Sequence, residues 1–577
     1  MTATLIRVGS RITHGLALAL RETINLTELP GENLRIHKEQ PFNNGIPSIP
    51  NYSHIVQGQL LSDGFHDFVD GHPLKDIILR RPGEHLSIKD LGKVVKFTNL
   101  DLIRFESGAI PASINKESTY SRFAWTRDMA NKAVAMIENG CYEDAEKVVY
   151  CLADFYNRKE QRDMLVSYHW HPHDNPNDPK DRYRTGRGGH VPIRGAISEN
   201  GEMVKSDHPW AHNQLDAIGA WLYVTFRLAN ELANPSNPRH NSAFLKQLND
   251  HLSQSNPDAN IDSILSVAFK SLNRLQCWDN FDVGPWEDIA AHKRATSIGI
   301  CLKAAHEAKW NLGTGNSNEL PIHDRNGFRG ELDNIINKST QALNERIPSD
   351  GREAVECDIF SSDSSLAFLL FPYNPGLSDA QEMAILKTLY ANRLGVVGMT
   401  RRDKDNYVGR DYNTNIHSQE IYSNVYVPDY KAAEWCIFDP LLAAFFYNKF
   451  SRKVKEQGIV DEDLYTLAEF HMSRSIAQTT KAKDAYIKRF YVDNPNTLRE
   501  QLIVTEKGRC PEAYFLDSFV VDPETLKRGK WRANENTPLL WTEANFSIAV
   551  KKAGEAIKLY ERAQERLALT AEQARRN

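Results

Sequence analysis

A tryptophan followed at once by two acids, Trp286-Glu287-Asp288, closes the stretch that begins Cys277-Trp278-Asp279-Asn280-Phe281-Asp282-Val283-Gly284-Pro285. The Gly284-Pro285 pair ends whatever element precedes it. An apolar-periodic run from Ala295 to Ala308 follows, with Ile298, Ile300, Cys301, Leu302, Ala304 and Ala305 as its buried face. The two carboxylates therefore belong to a loop at the start of a helix, beside an indole. An apolar neighbour disfavours the ionised form of a carboxyl group, so one acid here can stay protonated near neutral pH and serve as a proton donor. Acids at a helix start also act as caps and dipole partners, and this stretch alone does not separate the two readings.

Four more segments gather polar and aromatic residues. Phe123-Ala124-Trp125-Thr126-Arg127-Asp128 opens a helix, where Asp128 alone would read as an N-cap. Asp207 through Asp216 opens another, with Trp210, Gln214 and Asp216 in it. Asn406-Tyr407-Val408-Gly409-Arg410-Asp411-Tyr412 is a Gly-Arg turn in a polar loop. Gly508-Arg509-Cys510-Pro511-Glu512-Ala513-Tyr514 is followed after a loop by Pro538-Leu539-Leu540-Trp541-Thr542-Glu543-Ala544. Two rival signals stand apart. His169, His171 and His173 alternate around Pro172 in a spacing that does not suit a helical zinc motif. Arg182, Arg184, Gly186, Arg187, Gly188 and Gly189 form a basic, glycine-rich patch that could cradle phosphate, but no Walker-type pattern or strand precedes it. A cleft-edge loop is the reading preferred, and neither a metal nor an organic cofactor is expected.

The elements that must position these segments are helices. Beyond about residue 110, helical periodicity places helices at 128–139 (closed by Gly140), 142–160, 214–232, 243–253, 261–275, 295–308, 330–347, 364–370, 379–391, 440–457, 464–482 and 542–567. Between them, 168–207, 401–430 and 507–540 read as long loops, and β-branched alternation is scarce. Helix pairs with large loops at one end suggest a closed toroid of helical hairpins whose loops build a cleft. Residues 1–105 read as a separate mixed segment of unassigned role, with a short amphipathic helix and strand-like fragments such as 55–60, and 106–577 as the helical domain.

Composition excludes several classes. The chain has 577 residues, a formal net charge of -5, 41% hydrophobic and 25% charged residues, which are ordinary globular values. The mild negative charge gives no reason to expect nucleic acid, and no apolar run reaches the roughly 20 residues of a membrane span. The seven Cys are odd in number, widely spaced and lie mostly in apolar runs, as buried free thiols of a reducing compartment would. A secretory signal peptide is not read at the N-terminus, so the expected location is the cytoplasm, or alternatively a host cell reached by a route without such a signal.

Taken together, these segments resemble the inverting glucoamylase family (glycoside hydrolase family fifteen), whose relatives include phosphorylase kinase α and β subunits. Trp125-Thr126-Arg127-Asp128 is similar to the family's Trp-x-Arg-Asp, and Trp210 through Asp216 to its Trp-Gly-x-x-Gln-x-Asp, with Gln214 and Asp216 in register. Trp286-Glu287-Asp288 resembles the Trp-Glu-(Glu/Arg) that carries the general acid. Gly409-Arg410 and Glu434-Trp435 match two substrate-contacting turns, and Pro511-Glu512 with Leu540-Trp541 matches the ending whose Glu is the general base. The matches run in the family's order from about residue 110 to about 560, and the wording Gln214-Leu215-Asp216-Ala217 and Ser297-Ile298-Gly299 is nearer the phosphorylase-kinase-like bacterial branch.

The resemblance implies an all-α fold, an (α/α)6 barrel, with Glu287 as general acid and Glu512 as general base. Inversion needs a protonated acid at the leaving oxygen and an ionised carboxylate activating water on the other face, roughly 6.5–9.5 Å away. Arg127, Asp128 and Arg410 would hold sugar hydroxyls by charge-assisted hydrogen bonds. Trp125, Trp210, Trp286, Trp435 and Trp541 would offer ring faces, with Gln214, Asp216 and Asp288 completing the sugar site. Glu543 is explicable as a helix-start acid, and Glu512 is preferred to it as base. The expected activity is exo-hydrolysis of α-1,4-glucans such as glycogen, starch or maltooligosaccharides to β-glucose by a monomer or dimer. A glycan-binding regulatory module and a hydrolase of trehalose, dextran or another glucoside remain open.

Overall fold

The computed structural model describes residues 6–7, 35–37 and 62–576, except 82, 99, 101, 117, 168–192, 207–213, 256–261, 288–291, 314–321, 323, 351, 358–361, 403–404, 406–431, 492–497 and 522–527. The described chain is mostly helical, as the all-α reading requires. Its contacts divide it into two compact units, Met1–Val8 with Leu102–Asn392 and Gly9–Asp101 with Arg393–Asn577. The N-terminal amphipathic helix and the 55–60 strand expected from sequence fall outside the described residues; within 62–98 the chain forms the helices Asp63–Val69, Lys75–Ile78 and Ile88–Thr98.

In the first unit, two helices are buried on nearly every side. All thirteen residues of Thr126–Glu138 are buried, and in Leu215–Ala233 only the polar C-terminal turn and Arg227 escape. Thr126–Glu138 buries Arg127, Asp128, Asn131, Lys132 and Glu138 along with its apolar residues, so its interior position requires those polar groups to find partners. Thr126–Glu138 packs on Tyr142–Asn157 and on Leu215–Ala233; the latter packs on Ala295–Gly313, which packs on Arg325–Arg346. Trp221 stacks on Tyr156 with ring centroids 4.4 Å apart. The expected helix 142–160 is two, Tyr142–Asn157 and Lys159–Ser167. The expected loop 168–207 is corrected at its end. Arg194–Ile197 pairs antiparallel with both Phe123–Trp125 and Met203–Lys205, and the register sets Trp125 opposite Arg194.

In the second unit, Phe438–Arg452 packs on Glu462–Ala477 and on Leu540–Arg576. Here the expectation of a loop over 507–540 is corrected, because two strands run within it. Asp484–Tyr491 pairs with Leu498–Thr505, and Ala513–Val521 pairs with both Arg528–Ala533 and Glu434–Trp435. The aromatic and β-branched run Tyr486-Ile487-Lys488-Arg489-Phe490-Tyr491-Val492, followed by Asp493-Asn494-Pro495-Asn496, is a hairpin signal that helical periodicity obscured.

The turn Gly395-Val396-Val397-Gly398 in this unit is fixed by buried ionic groups. Glu434 Oε2 accepts the backbone N–H groups of Val397 and Gly398 (2.9 Å for the latter). Arg474 donates to the carbonyls of Gly395 (3.0 Å), Val396 (3.2 Å) and Gly398 (2.8 Å), and Gln478 to that of Val397 (2.7 Å). Asp439 accepts from Arg474 Nε at 2.9 Å and pairs with His471 Nδ1 at 2.8 Å. Burial would raise the Asp439 carboxyl, but Arg474 and His471 outweigh it and hold the group below the usual carboxylate range. A Cβ on Gly398 would lie 2.5 Å from the Trp435 carbonyl oxygen, so only glycine fits. Glu434→Ala strands two buried N–H donors. It should lower the unfolding free energy in denaturant titrations by about 2–5 kcal/mol, and Glu434→Gln, which keeps an acceptor, by less than half of that. Wild-type stability in Glu434→Ala would contradict this reading of the turn.

Candidate active site

The Gly284–Glu287 turn is built by its sequence. Pro285 occupies the second position, where its fixed φ is favoured, and the Glu287 N–H closes the turn on the Gly284 carbonyl at 3.1 Å. The loop that carries the turn is pinned at its base, where Asp282 and His292 exchange backbone hydrogen bonds of 2.9 and 2.8 Å. Asp282 also caps a helix from outside it, its Oδ2 accepting the N–H of Leu215, the first residue of Leu215–Ala233, at 3.1 Å. Glu287 ends the turn at φ 57°, a left-handed conformation that costs a non-glycine residue about 1–3 kcal/mol and persists only where its surroundings over-determine it.

Three segments predicted separately from sequence meet at one guanidinium. Arg127 Nη1 donates to Gln214 Oε1 at 2.9 Å and lies 3.7 Å from Asp216 Oδ2, while Nη2 lies 3.4 Å from Glu287 Oε1 and 3.7 Å from Asp128 Oδ2. The Arg127 carbonyl is held by Asn131 Nδ2 at 2.9 Å, and Asn131 in turn accepts from the Tyr373 hydroxyl at 3.1 Å. Asp128 is therefore not the N-cap of its helix. The helix starts at Thr126 after an extended Trp125, and the Asp128 side chain turns to Arg127.

Burial governs the charges. It would lower the Arg127 pKa, but Asp128, Asp216 and Glu287 reverse this and keep the guanidinium charged. Burial pushes Asp128 up to about 6 against the pull of Arg127, and raises Asp216 likewise. Asp282 rises to about 7, through burial and then through Asp216. The site thus combines one fixed cation, several hydrogen-bond acceptors and, in Asp128 and Asp282, carboxyl groups raised toward neutrality. That is chemistry for gripping a hydroxyl-rich ligand and moving a proton at it.

The tryptophans are walls more than platforms. Trp125, Trp286, Trp435 and Trp541 are all buried. Trp125 packs against Tyr120 and Phe123, with the Arg194 guanidinium over the Phe123 ring at 4.2 Å. Trp286 donates its indole N–H to Asp363 Oδ1 at 2.7 Å and tilts against Phe368. Trp435 lies beneath Arg401, 4.7 Å from its ring centroid, and Arg401 is itself fixed by Asp405 at 2.8 and 2.6 Å. Trp210, Asp288, Arg410, the His169/His171/His173 loop and the Arg182–Gly189 patch lie outside the described residues.

In the second unit, Glu512 sits immediately before Ala513–Val521, with its carbonyl accepting the Cys436 N–H at 2.9 Å. Its Oε2 accepts from Asn534 Nδ2 at 2.6 Å and Asn536 Nδ2 at 2.8 Å, two residues delivered by the end of the paired strand. Glu543 stands in the first turn of Leu540–Arg576, as the helix-start reading expects, and Arg509 Nη1 lies 3.8 Å from it. Sequence reading missed Asn534, Asn536, Asp282, Arg294, Glu356 and Asp363. The Asn534-Glu535-Asn536-Thr537-Pro538 turn was a legible signal for the first two; the others act only through contacts distant in sequence. All seven cysteines are free thiols, Cys141 half-buried and the rest buried. Among the described residues, no helix is long and apolar enough to cross a membrane.

No family model and no curated sequence matches the chain. Among solved structures it is similar to a wild-type glycosidase, at 16% identity over 86% of this chain and 99% of that one, with a TM-score of 0.46. It is also similar to the glucoamylase of Saccharomycopsis fibuligera, at 10% identity over 91% and 99% of the two chains, with a TM-score of 0.45. A glycoside hydrolase family 15 glucoamylase from Hypocrea jecorina shares 13% identity over 78% and 67%, with a TM-score of 0.41. Values this low transfer no residue role.

Glu356 gives a test of the buried electrostatics. Its carboxylate accepts the Thr296 N–H (3.1 Å) and hydroxyl (2.9 Å) at the start of Ala295–Gly313, and burial followed by Asp363 pushes it up to about 8. The unfolded chain releases this proton near the ordinary glutamate value of 4.5, whereas the native chain keeps it to about 8, so rising pH through that window favours unfolding. Glu356→Gln copies the protonated form. Its melting temperature should match wild type at pH 4 and exceed it at pH 8; parallel curves would contradict the shift.

Proposed function

We propose that the chain is an exo-acting, inverting glucan 1,4-α-glucosidase that releases β-glucose from the non-reducing ends of glycogen, starch or maltooligosaccharides. The observation that carries the reading is the convergence of Asp128, Gln214, Asp216 and Glu287 on the Arg127 guanidinium. Four polar groups around one cation suit the hydroxyls of a terminal pyranose, which ask for paired donors and acceptors. Glu287, held in a left-handed turn beside this cluster, is the proton donor to the glycosidic oxygen. Glu512, oriented by two amide donors, is the base that activates water.

On this reading Trp210, Asp288 and Arg410 are further sugar contacts, as the sequence resemblance implies. No metal or organic cofactor enters the proposed reaction, which consists of proton transfers between carboxyl groups, water and the glycosidic oxygen. Glu287→Gln and Glu512→Gln should each lower glucose release from maltoheptaose and glycogen by roughly 10²–10⁴-fold. The melting transition should stay close to wild type. Full activity in both variants would sink the assignment. Glycogen binding without turnover by the wild type would favour a regulatory glycan-binding module.

A further inference from the structure

A second buried guanidinium lies under the turn that presents Glu287. Arg294 is fully buried, and its side chain fills the space beside Gly284: a Cβ there would come 2.2 Å from Arg294 Cδ and 2.6 Å from Nε. Gly284 itself has φ 61°, so the turn begins and ends with left-handed residues. Arg294 Nη1 lies 3.8 Å from Asp363 Oδ2, and Asp363 is fully buried as well. The other Asp363 oxygen, Oδ1, accepts the Trp286 indole N–H at 2.7 Å and the Ser365 N–H at 2.8 Å, so it also caps the short 3-10 helix Ser364–Leu366.

We propose that Arg294 and Asp363 are positioning residues for Glu287. Arg294 props the first residue of the turn from below, and Asp363, charge-paired with Arg294, grips the residue next to Glu287. Their role is to fix the backbone that aims the Glu287 carboxyl at Arg127. The proposal rests on the hydrolase reading above, in which Glu287 is the proton donor. A strained residue keeps its conformation only while its neighbours enforce it. With the clamp loosened, Glu287 relaxes out of the left-handed region and its carboxyl moves, while Arg127, Asp128, Gln214 and Asp216 keep their places. A misplacement of about 1 Å costs roughly 100-fold in rate. The loss therefore falls on kcat and leaves KM near wild type, a split that general destabilisation would not produce.

The test compares wild type with Asp363→Ala, Asp363→Asn and Arg294→Lys on maltoheptaose. Rates are expressed per folded molecule from near-ultraviolet circular dichroism. The Trp286 indole N–H resonance, assigned by its loss in Trp286→Phe, is followed alongside. The expected result is a kcat fall of roughly 100-fold in Asp363→Ala, with KM within about threefold and the indole resonance displaced. Asp363→Asn, which keeps an acceptor for the indole, and Arg294→Lys, which keeps the charge but not the planar fill, should each lose roughly tenfold. Wild-type kcat in folded Asp363→Ala would overturn the proposal while leaving the hydrolase reading intact, as would an undisplaced indole resonance. A wild type that releases no glucose, with the indole resonance responding as expected, would overturn the hydrolase reading and with it the catalytic meaning of the clamp.

Discussion

The first unit depends on a buried guanidinium that carboxyl groups approach from three directions. Removing Arg127 from water is costly, and the interaction repays that cost only when acceptors surround the cation closely. Asp128 supplies one from the same helix turn, Gln214 and Asp216 from the start of another helix, and Glu287 from the end of a tight turn. The three backbone segments are thereby held to a common point. The carboxylates outnumber the cation, and burial lifts Asp128 to about 6, so this carboxyl exchanges its proton closer to neutrality than an ordinary aspartate does. The same arrangement that organises the fold locally therefore leaves acid–base capacity at its centre.

A second pattern supports the first. Carboxylates in this protein repeatedly satisfy backbone or side-chain donors on elements far away in sequence. Asp282 caps Leu215–Ala233, Glu356 caps Ala295–Gly313, Asp363 holds the Trp286 indole, and Glu434 holds the 395–398 turn. Each leaves a buried donor unsatisfied if removed, which is more damaging than the bond's own net contribution. Rigid support of this kind is what a left-handed, non-glycine Glu287 needs.

Much of the helical framework was legible, because a buried helix imposes a 3.6-residue apolar period over ten or more residues. The expected helix 379–391 is observed as Asp379–Asn392, and 214–232 as Leu215–Ala233. Strands of two to nine residues carry less periodic signal than a long helix, so the hairpins over 484–533 did not stand out against the helical pattern around them. Glu287, Arg127, Asp128, Gln214 and Asp216 could be nominated from local motifs, since each sits beside a tryptophan or at a helix start. Arg294 and Asp363 could not, because nothing near them in sequence marks a partner that only folding brings within reach. The tryptophans were expected to offer ring faces; the four that are described instead spend their surface on packing, where indole rings bury the most apolar area per residue.

The most direct test of the central claim is the configuration of the first product. Wild-type protein incubated with maltoheptaose and followed by proton NMR in the opening minutes should give β-glucose before mutarotation mixes the anomers. Early α-glucose would mean retention, and the roles assigned to Glu287 and Glu512 as separate acid and base would be wrong.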